Sequence, residues 1–498
     1  MPRFANSSRR FRLSPPALGR DWKHNRVERG GIVRSVALIC VALLMVTGVA
    51  VYAALVLPPI NRPKSTPNAS GNARSIDLPT PASAAPVLQP LARKPVSLLR
   101  LKQHLASVLA APALGHHLGF AVAELGSDRL VWQQGTPPSV TPASTMKLLT
   151  TTAALDTLGP ERRFITSVVS GATKGQIVLV GGGDPLLTTT NPTPAEARVL
   201  YPAPATLQQL AQQTAANLKS QRVRRVRVGY DASLFSGPAV NPAWEPAYIK
   251  ESVVSPISAL WVDEGRASKS SDERVGDPAR FAAAKFVEQL TARGITVVGP
   301  PAQALAPSTA HRLAAVSSAP LTQIVAQVLE ASDNEGAEVL LRQIALQAGG
   351  SGSSADGVTV MESALRGLGV HLQGARIYDG SGLSRHDLLP VQALIDVLEI
   401  SARSTRPGLR TVIASLPVAG FSGTLSYRFV ADSPGGVGVV RAKTGTLTGV
   451  HGLAGVVTTR AGQGLVFAAV ADRVAVSQTL GARADLDKIA TTLSTCGC

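Results

Sequence analysis

Cysteine is nearly absent from this sequence: 498 residues contain three, Cys40 inside an apolar stretch and Cys496 and Cys498 at the last positions. No disulfide framework can hold the body of the chain together, so its folded units must rest on apolar cores. A single residue separates the last two cysteines, which argues against an unstrained bridge and for an incidental tail. Aromatic residues are also sparse, at 4%. With so few stacking platforms, the net charge of +17, from 49 basic and 32 acidic residues, is not read as nucleic-acid binding. Ligand spacing for a metal is missing around His116, His117 and His451, and no metal or other cofactor is expected for the chemistry. Gly181-Gly-Gly lacks the Lys-Ser/Thr of a phosphate loop, which excludes an NTP site there.

What is present begins with a topology signal. Residues 1–34 carry nine basic side chains, from Arg3 to Arg34, against Asp21 and Glu28. An uncharged apolar run of about 23 residues follows at 35–57, long enough to cross a bilayer core and longer than the apolar region of a cleaved secretory signal. The expectation is an uncleaved single-pass anchor with the basic arm in the cytoplasm and the remainder outside. Residues 58–95, rich in Pro, Ser and Ala, read as an extended linker. Beyond it, helix and hairpin signals mark 96–162 as the first part of a catalytic domain. Strand-like pieces joined by Gly/Pro turns mark 163–311 as an insertion, and helices followed by strands mark 312–498 as the second part. An early hairpin and three late strands, near 438–446, 452–459 and 464–472, are expected to close one antiparallel sheet covered by helices, an α+β arrangement.

Three short strings carry the chemistry: Ser144-Thr-Met-Lys147, Ser332-Asp-Asn334 and Lys443-Thr-Gly445. Each alone is weak, since Ser, Asp and Asn also cap helices and Lys-Thr-Gly can end a strand. Together, in this order, they match the trio of serine enzymes that recognise penicillin. Lysine is scarce here, yet Lys147 makes the one S-x-x-K in the chain and Lys443 is the sole lysine between Lys285 and Lys488. On a helix, residues three apart share a face, so Lys147 can reach the Ser144 hydroxyl as its base. An ordinary lysine is neutral in fewer than about one molecule in a thousand at neutral pH, so burial or a nearby cation such as Lys443 must lower its pKa by about 2–3. Arginine could not replace it, because it does not deprotonate. Ser144 at a helix start also offers a backbone N–H for an oxyanion hole, its second donor expected from an edge strand near Thr446.

The trio resembles the penicillin-binding D-alanyl-D-alanine carboxypeptidases of low-molecular-weight class C, peptidase family S13. The resemblance extends to Gly181-Gly-Gly-Asp-Pro185, Ser255-Pro-Ile-Ser258, Asp379-Gly-Ser-Gly-Leu-Ser-Arg385, Leu416-Pro-Val-Ala-Gly420 and Gly423-Thr-Leu425, and to the spacing of 188 positions from Ser144 to Ser332. It implies a penicillin-binding transpeptidase/β-lactamase-like fold: an antiparallel sheet flanked by helices, an all-helical subdomain and an inserted mainly-β domain between the first two strings. It implies catalysis by Ser144, Lys147, Ser332, Asn334 and Lys443, with Thr444, Gly445 and Thr446 binding substrate. The implied partners are peptidoglycan stem peptides and, as covalent inhibitors, β-lactams. Cleavage of cross-links, an endopeptidase action, would use the same attack with another leaving group. A serine β-lactamase and a non-catalytic wall-binding or sensor protein on the same fold are the rival readings.

Overall fold

The computed structural model describes residues 95–498 except 128–129, 135–138 and 269. The expected anchor at 35–57, its basic arm and most of the linker lie outside the described residues. Among the described residues, no helix is long and apolar enough to cross a membrane.

Helices of ten or more residues and all strands are numbered here in chain order. The chain begins with α1 (Leu98–Leu109), the hairpin β1 (Leu118–Glu124) and β2 (Leu130–Gln134), and α2 (Met146–Leu158). An insertion contains β3 (Ile165–Ser170), β4 (Gln176–Val180), α3 (Leu207–Ser220), β5 (Arg225–Asp231), α4 (Pro278–Thr291), β6 (Thr296–Val297), β7 (Ala302–Gln303) and β8 (Arg312–Ser317). The chain closes with α5 (Leu321–Glu330), α6 (Asn334–Gln347), α7 (Ser354–Gly367), α8 (Val391–Arg403), β9 (Val440–Leu447), β10 (Val450–Thr458), β11 (Gly464–Ala471) and α9 (Thr479–Thr495).

The first and last parts share one sheet of order β2-β1-β11-β10-β9, antiparallel throughout. The expected closure of an early hairpin onto late strands is what forms. Side chains alternate across a strand, so each face of this sheet has its own core. Phe120, Val122, Phe467 and Ala469 face α1 and α9, against Leu101, Leu105, Leu486 and Leu493. Ala121, Ala123, Val466 and Ala468 face the helical half, against Met146, Leu149, Leu394 and Leu398. Burying each large apolar side chain contributes about 1.5–3 kcal/mol. Both faces are covered, and β10 is accordingly buried from Val450 to Val457.

Helix α2 sits at the middle of the helical half and is buried on every side from Met146 to Leu155. It carries a threonine run through this dry environment because the hydroxyls bond locally: Thr151 donates to the Lys147 carbonyl at 2.6 Å and Thr152 to that of Leu148 at 2.7 Å.

The insertion differs from the mainly-β expectation. Its six-stranded sheet, β6-β5-β4-β3-β8 with β7 beside β5, is mixed: β3 pairs antiparallel with β4 and β8, while β4, β5, β6 and β7 run parallel. Parallel neighbours need crossover connections, and α3 and α4 supply them. Their apolar faces, Leu207, Leu210, Ala211, Leu218, Ala283 and Phe286, fill one core with Val226 and Val228. These two 14-residue helices together hold as many residues as the six strands. The insertion's sheet also runs past residue 311, because β8 lies beside β3. Ser318 N–H donates to the Phe164 carbonyl at 2.8 Å, so the chain leaves the insertion next to where it entered. The tail is not incidental: Cys496 is buried in the core beneath α1 and is disulfide-bonded to Cys498.

Candidate active site

The three strings converge on one cleft of about 380 Å³, lined by Ser144, Ser332, Thr444 and Thr446 together with Thr424, Arg428 and Arg483. Ser144 lies in a 3-10 turn that runs into α2, and Lys147 is in the first turn of that helix. Lys147 Nζ donates to Ser144 Oγ at 3.0 Å, Asn334 Oδ1 at 2.8 Å and the Ser381 carbonyl at 2.7 Å. Its three donors are all used, which fixes the amine against the hydroxyl. Lys443, on the edge strand β9, donates to Ser332 Oγ at 2.9 Å and to the Thr444 carbonyl at 2.9 Å. Thr444 Oγ1 bonds Thr424 Oγ1 at 2.9 Å.

The second string serves both readings considered for it. Asp333 caps α6, accepting from Gly336 N–H at 2.8 Å, while its neighbours Ser332 and Asn334 reach the two lysines. Ser332 has φ 59° and Ala143, just before Ser144, φ 46°, a region that costs a non-glycine residue energy. Backbone strain thus sits on both sides of the cleft. The insertion braces this string as well: Asn334 Nδ2 donates to the Val253 carbonyl at 3.1 Å, and Glu335 accepts from Ser255 N–H at 3.1 Å and pairs with Arg274 at 2.8 Å.

Burial sets the charge of the site. Lys147 is fully buried, and desolvation lowers its pKa to about 8 against the pull of Asp379, Asp333, Glu338 and Glu335, which favour its proton. Lys443 is pushed well below the lysine range, by burial first and by the Lys147 charge second. Dehydration, rather than the Lys443 charge expected for that task, is the leading cause that lowers Lys147, and it also leads for Lys443.

Sequence reasoning had no role for the loop that supplies the Ser381 carbonyl, though it quoted the string. Asp379 accepts from Gly382 N–H at 2.7 Å, Ser384 N–H at 2.7 Å and Trp244 Nε1 at 2.8 Å. Glu338 accepts from Gly380 and Ser381 N–H at 2.9 and 2.8 Å, and burial raises its pKa to about 8. Gly382, with φ +78°, packs so closely that a Cβ would collide with the Ala143 carbonyl oxygen. Arg428 and Arg483 were also missed. Arg428 makes a two-pronged pair with Asp487 of α9 at 2.6 and 3.1 Å, and no signal in the local sequence marks either arginine. A hollow of about 440 Å³ in the insertion, lined by Leu186, Tyr201 and Asp263 among others, contains none of the three strings.

The sequence profile of the D-Ala-D-Ala carboxypeptidase 3 (S13) family matches residues 101–273 and 267–493. Carboxypeptidase DacB of Mycolicibacterium smegmatis is 36% identical over 428 residues, covering 84% of this chain and 90% of that protein. A D-alanyl-D-alanine carboxypeptidase of an Actinomadura species is 28% identical over 427 residues, 72% of this chain and 79% of its own length. Among solved structures, penicillin binding protein 4 (dacB) of Haemophilus influenzae superposes with a TM-score of 0.63 at 22% identity, over 79% of this chain and 98% of that one, which establishes the shared fold.

Proposed function

Because the chain belongs to the D-Ala-D-Ala carboxypeptidase 3 (S13) family, a family of serine-type peptidoglycan hydrolases, we propose the following division of labour in its cleft. Ser144 Oγ attacks the penultimate D-Ala carbonyl of a stem peptide while Lys147 takes its proton. The backbone N–H groups of Ser144 and Thr446 receive the developing oxyanion. As the C–N bond breaks, Ser332 and Lys443 pass a proton to the departing D-Ala amine, leaving an ester on Ser144. Water then adds to the ester and releases the shortened peptide. Asn334 holds both the Lys147 amine and the substrate amide. Thr444, Gly445 and Thr446 receive the terminal carboxylate on the edge strand, which gives an extended peptide a backbone to pair with. A carboxylate arriving there favours the protonated form of Lys443, so substrate itself readies the proton for the leaving group.

The observation that carries this reading is the fully buried Lys147 amine at 3.0 Å from Ser144 Oγ, with its pKa lowered to about 8. β-Lactams are expected to acylate the same hydroxyl, and the Haemophilus relative has been crystallised with a β-lactam. The test incubates wild type and Ser144→Ala with pentapeptide, cross-linked muropeptides and penicillin. D-Ala release and a penicillin adduct on Ser144 in wild type, both absent from the variant, are the expected results. A wild-type chain giving neither defeats the assignment. Cleavage of cross-linked dimers in the same assay adds endopeptidase action. The proposal also includes an anchor at residues 35–57, a cytoplasmic arm at 1–34 and a linker at 58–95, supported by charge asymmetry and apolar length. Release of the full chain from membranes by alkaline carbonate would refute the anchor.

A further inference from the structure

Away from the cleft, the end of α9 meets α1 in a cluster of unusual chemistry. Cys496 and Cys498 lie beside His104, an exposed residue of α1 three positions after the buried Leu101. One donor atom from each of the three lies within 4.8 Å of the others. Tetrahedral zinc with Zn–S near 2.3 Å and Zn–N near 2.0 Å places its donors about 3.5–3.8 Å apart, so the three can close on one ion with small side-chain shifts. The set is two sulfurs and one imidazole nitrogen without a carboxylate, which selects thiophilic and borderline metals over Mg²⁺ or Ca²⁺.

The backbone holds this arrangement independently of the sulfur chemistry. Ser97 N–H donates to the Cys498 carbonyl at 3.0 Å, pinning the tail to the start of α1, and Cys496 is buried in the core between α1 and the sheet. Opening the disulfide would therefore leave two thiols next to the imidazole instead of releasing the tail.

We propose that His104, Cys496 and Cys498 form a redox-gated Zn²⁺ site, closed as the disulfide and filled once a dithiol reductant has opened it. The reductant supplies two electrons and two protons to the S–S bond and leaves as its own disulfide. Zn²⁺ then displaces the two thiol protons and forms two zinc–thiolate bonds, with His104 as third ligand and water as fourth. Filling the site ties α1 to α9, the helix that also carries Arg483 to the cleft, about 20 Å along the helix from Cys496.

The full chain would be reduced with a phosphine, freed of it, and titrated with Zn²⁺ against a chromophoric chelator and with Co²⁺ in the near ultraviolet, where thiolate-to-cobalt charge transfer absorbs. The reduced protein is expected to bind one Zn²⁺ with loss of two protons and to show the charge-transfer band; the oxidised protein does neither. His104→Ala is expected to weaken binding by on the order of 10- to 100-fold and Cys498→Ser to abolish the band. Penicillin labelling of Ser144 should be unchanged in both, which separates this site from the reaction. A reduced chain without the band, or a His104→Ala variant as tight as wild type, overturns the proposal. His104 is exposed, so its variant remains informative if Cys498→Ser does not fold.

Discussion

The pH dependence of acylation tests whether buried Lys147 is the base. With its pKa at about 8, roughly a tenth of the molecules carry a neutral amine at pH 7, against about one in three thousand for an ordinary lysine at 10.5. That difference of about 300-fold corresponds to about 3 kcal/mol supplied by dehydration of the amine. The second-order rate constant for penicillin acylation of Ser144, measured by mass spectrometry between pH 5.5 and 9.5, should rise about tenfold per pH unit and level off near pH 8. Lys147→Arg keeps the charge but cannot release a proton. It should lose roughly 10²–10⁴-fold at the plateau and show no limb near pH 8. A flat wild-type profile, or a limb that survives in Lys147→Arg, would refute the assignment of Lys147 as base. The same burial has a thermodynamic signature. A lysine lowered on folding makes the unfolded chain bind more protons between about pH 8 and 10.5, so this group's contribution to stability improves as pH rises through that window. Lys147→Met, by chemical denaturation, should lose that slope.

Three further substitutions probe the supports of the site. Gly382→Ala forces a left-handed backbone onto alanine and pushes a methyl into the Ala143 carbonyl, so penicillin labelling of Ser144 should fall sharply, with a loss of about 1–3 kcal/mol or more in urea melts. Arg428→Met leaves Asp487 buried without its partner and should cost about 3–5 kcal/mol. Burial already raises the Asp487 carboxyl and Arg428 pulls it down, so the variant raises it further. An Asp raised in the folded state loses stability as pH climbs through its pKa, so the deficit measured by thermal melting should shrink on acidification. Arg483→Ala removes a guanidinium from the cleft wall and should raise KM for pentapeptide by about 10- to 100-fold, the worth of one charged hydrogen bond. Cross-linked substrate without a free carboxylate at that position should be affected less; equal effects on both would remove Arg483 from carboxylate recognition.

The sequence by itself determined which residues could react. The spacing of Ser144 and Lys147 on one helix face, the pairing of Ser332 and Asn334 across one helix start, and an isolated Lys443 among arginines are local facts that a linear pattern records. Near-continuous apolar runs in β1, β10 and β11 likewise marked the main sheet, because each strand buries both faces. Tertiary structure decided the rest. The helices of the insertion carry ordinary helix periodicity, as at Leu207, Leu210 and Leu218, but neighbouring Gly/Pro turns and short strands hid it; only packing on a mixed sheet made that helix content clear. The pKa of Lys147 could not be read from any string either. It depends on how completely α2 is enclosed, on the Ser381 carbonyl held by Asp379 and Glu338, and on four carboxylates brought from other elements. Dehydration and Coulomb interaction are sums over the three-dimensional surroundings. Sequence therefore named the proposed nucleophile and its proposed base, and the fold alone set the charge of Lys147.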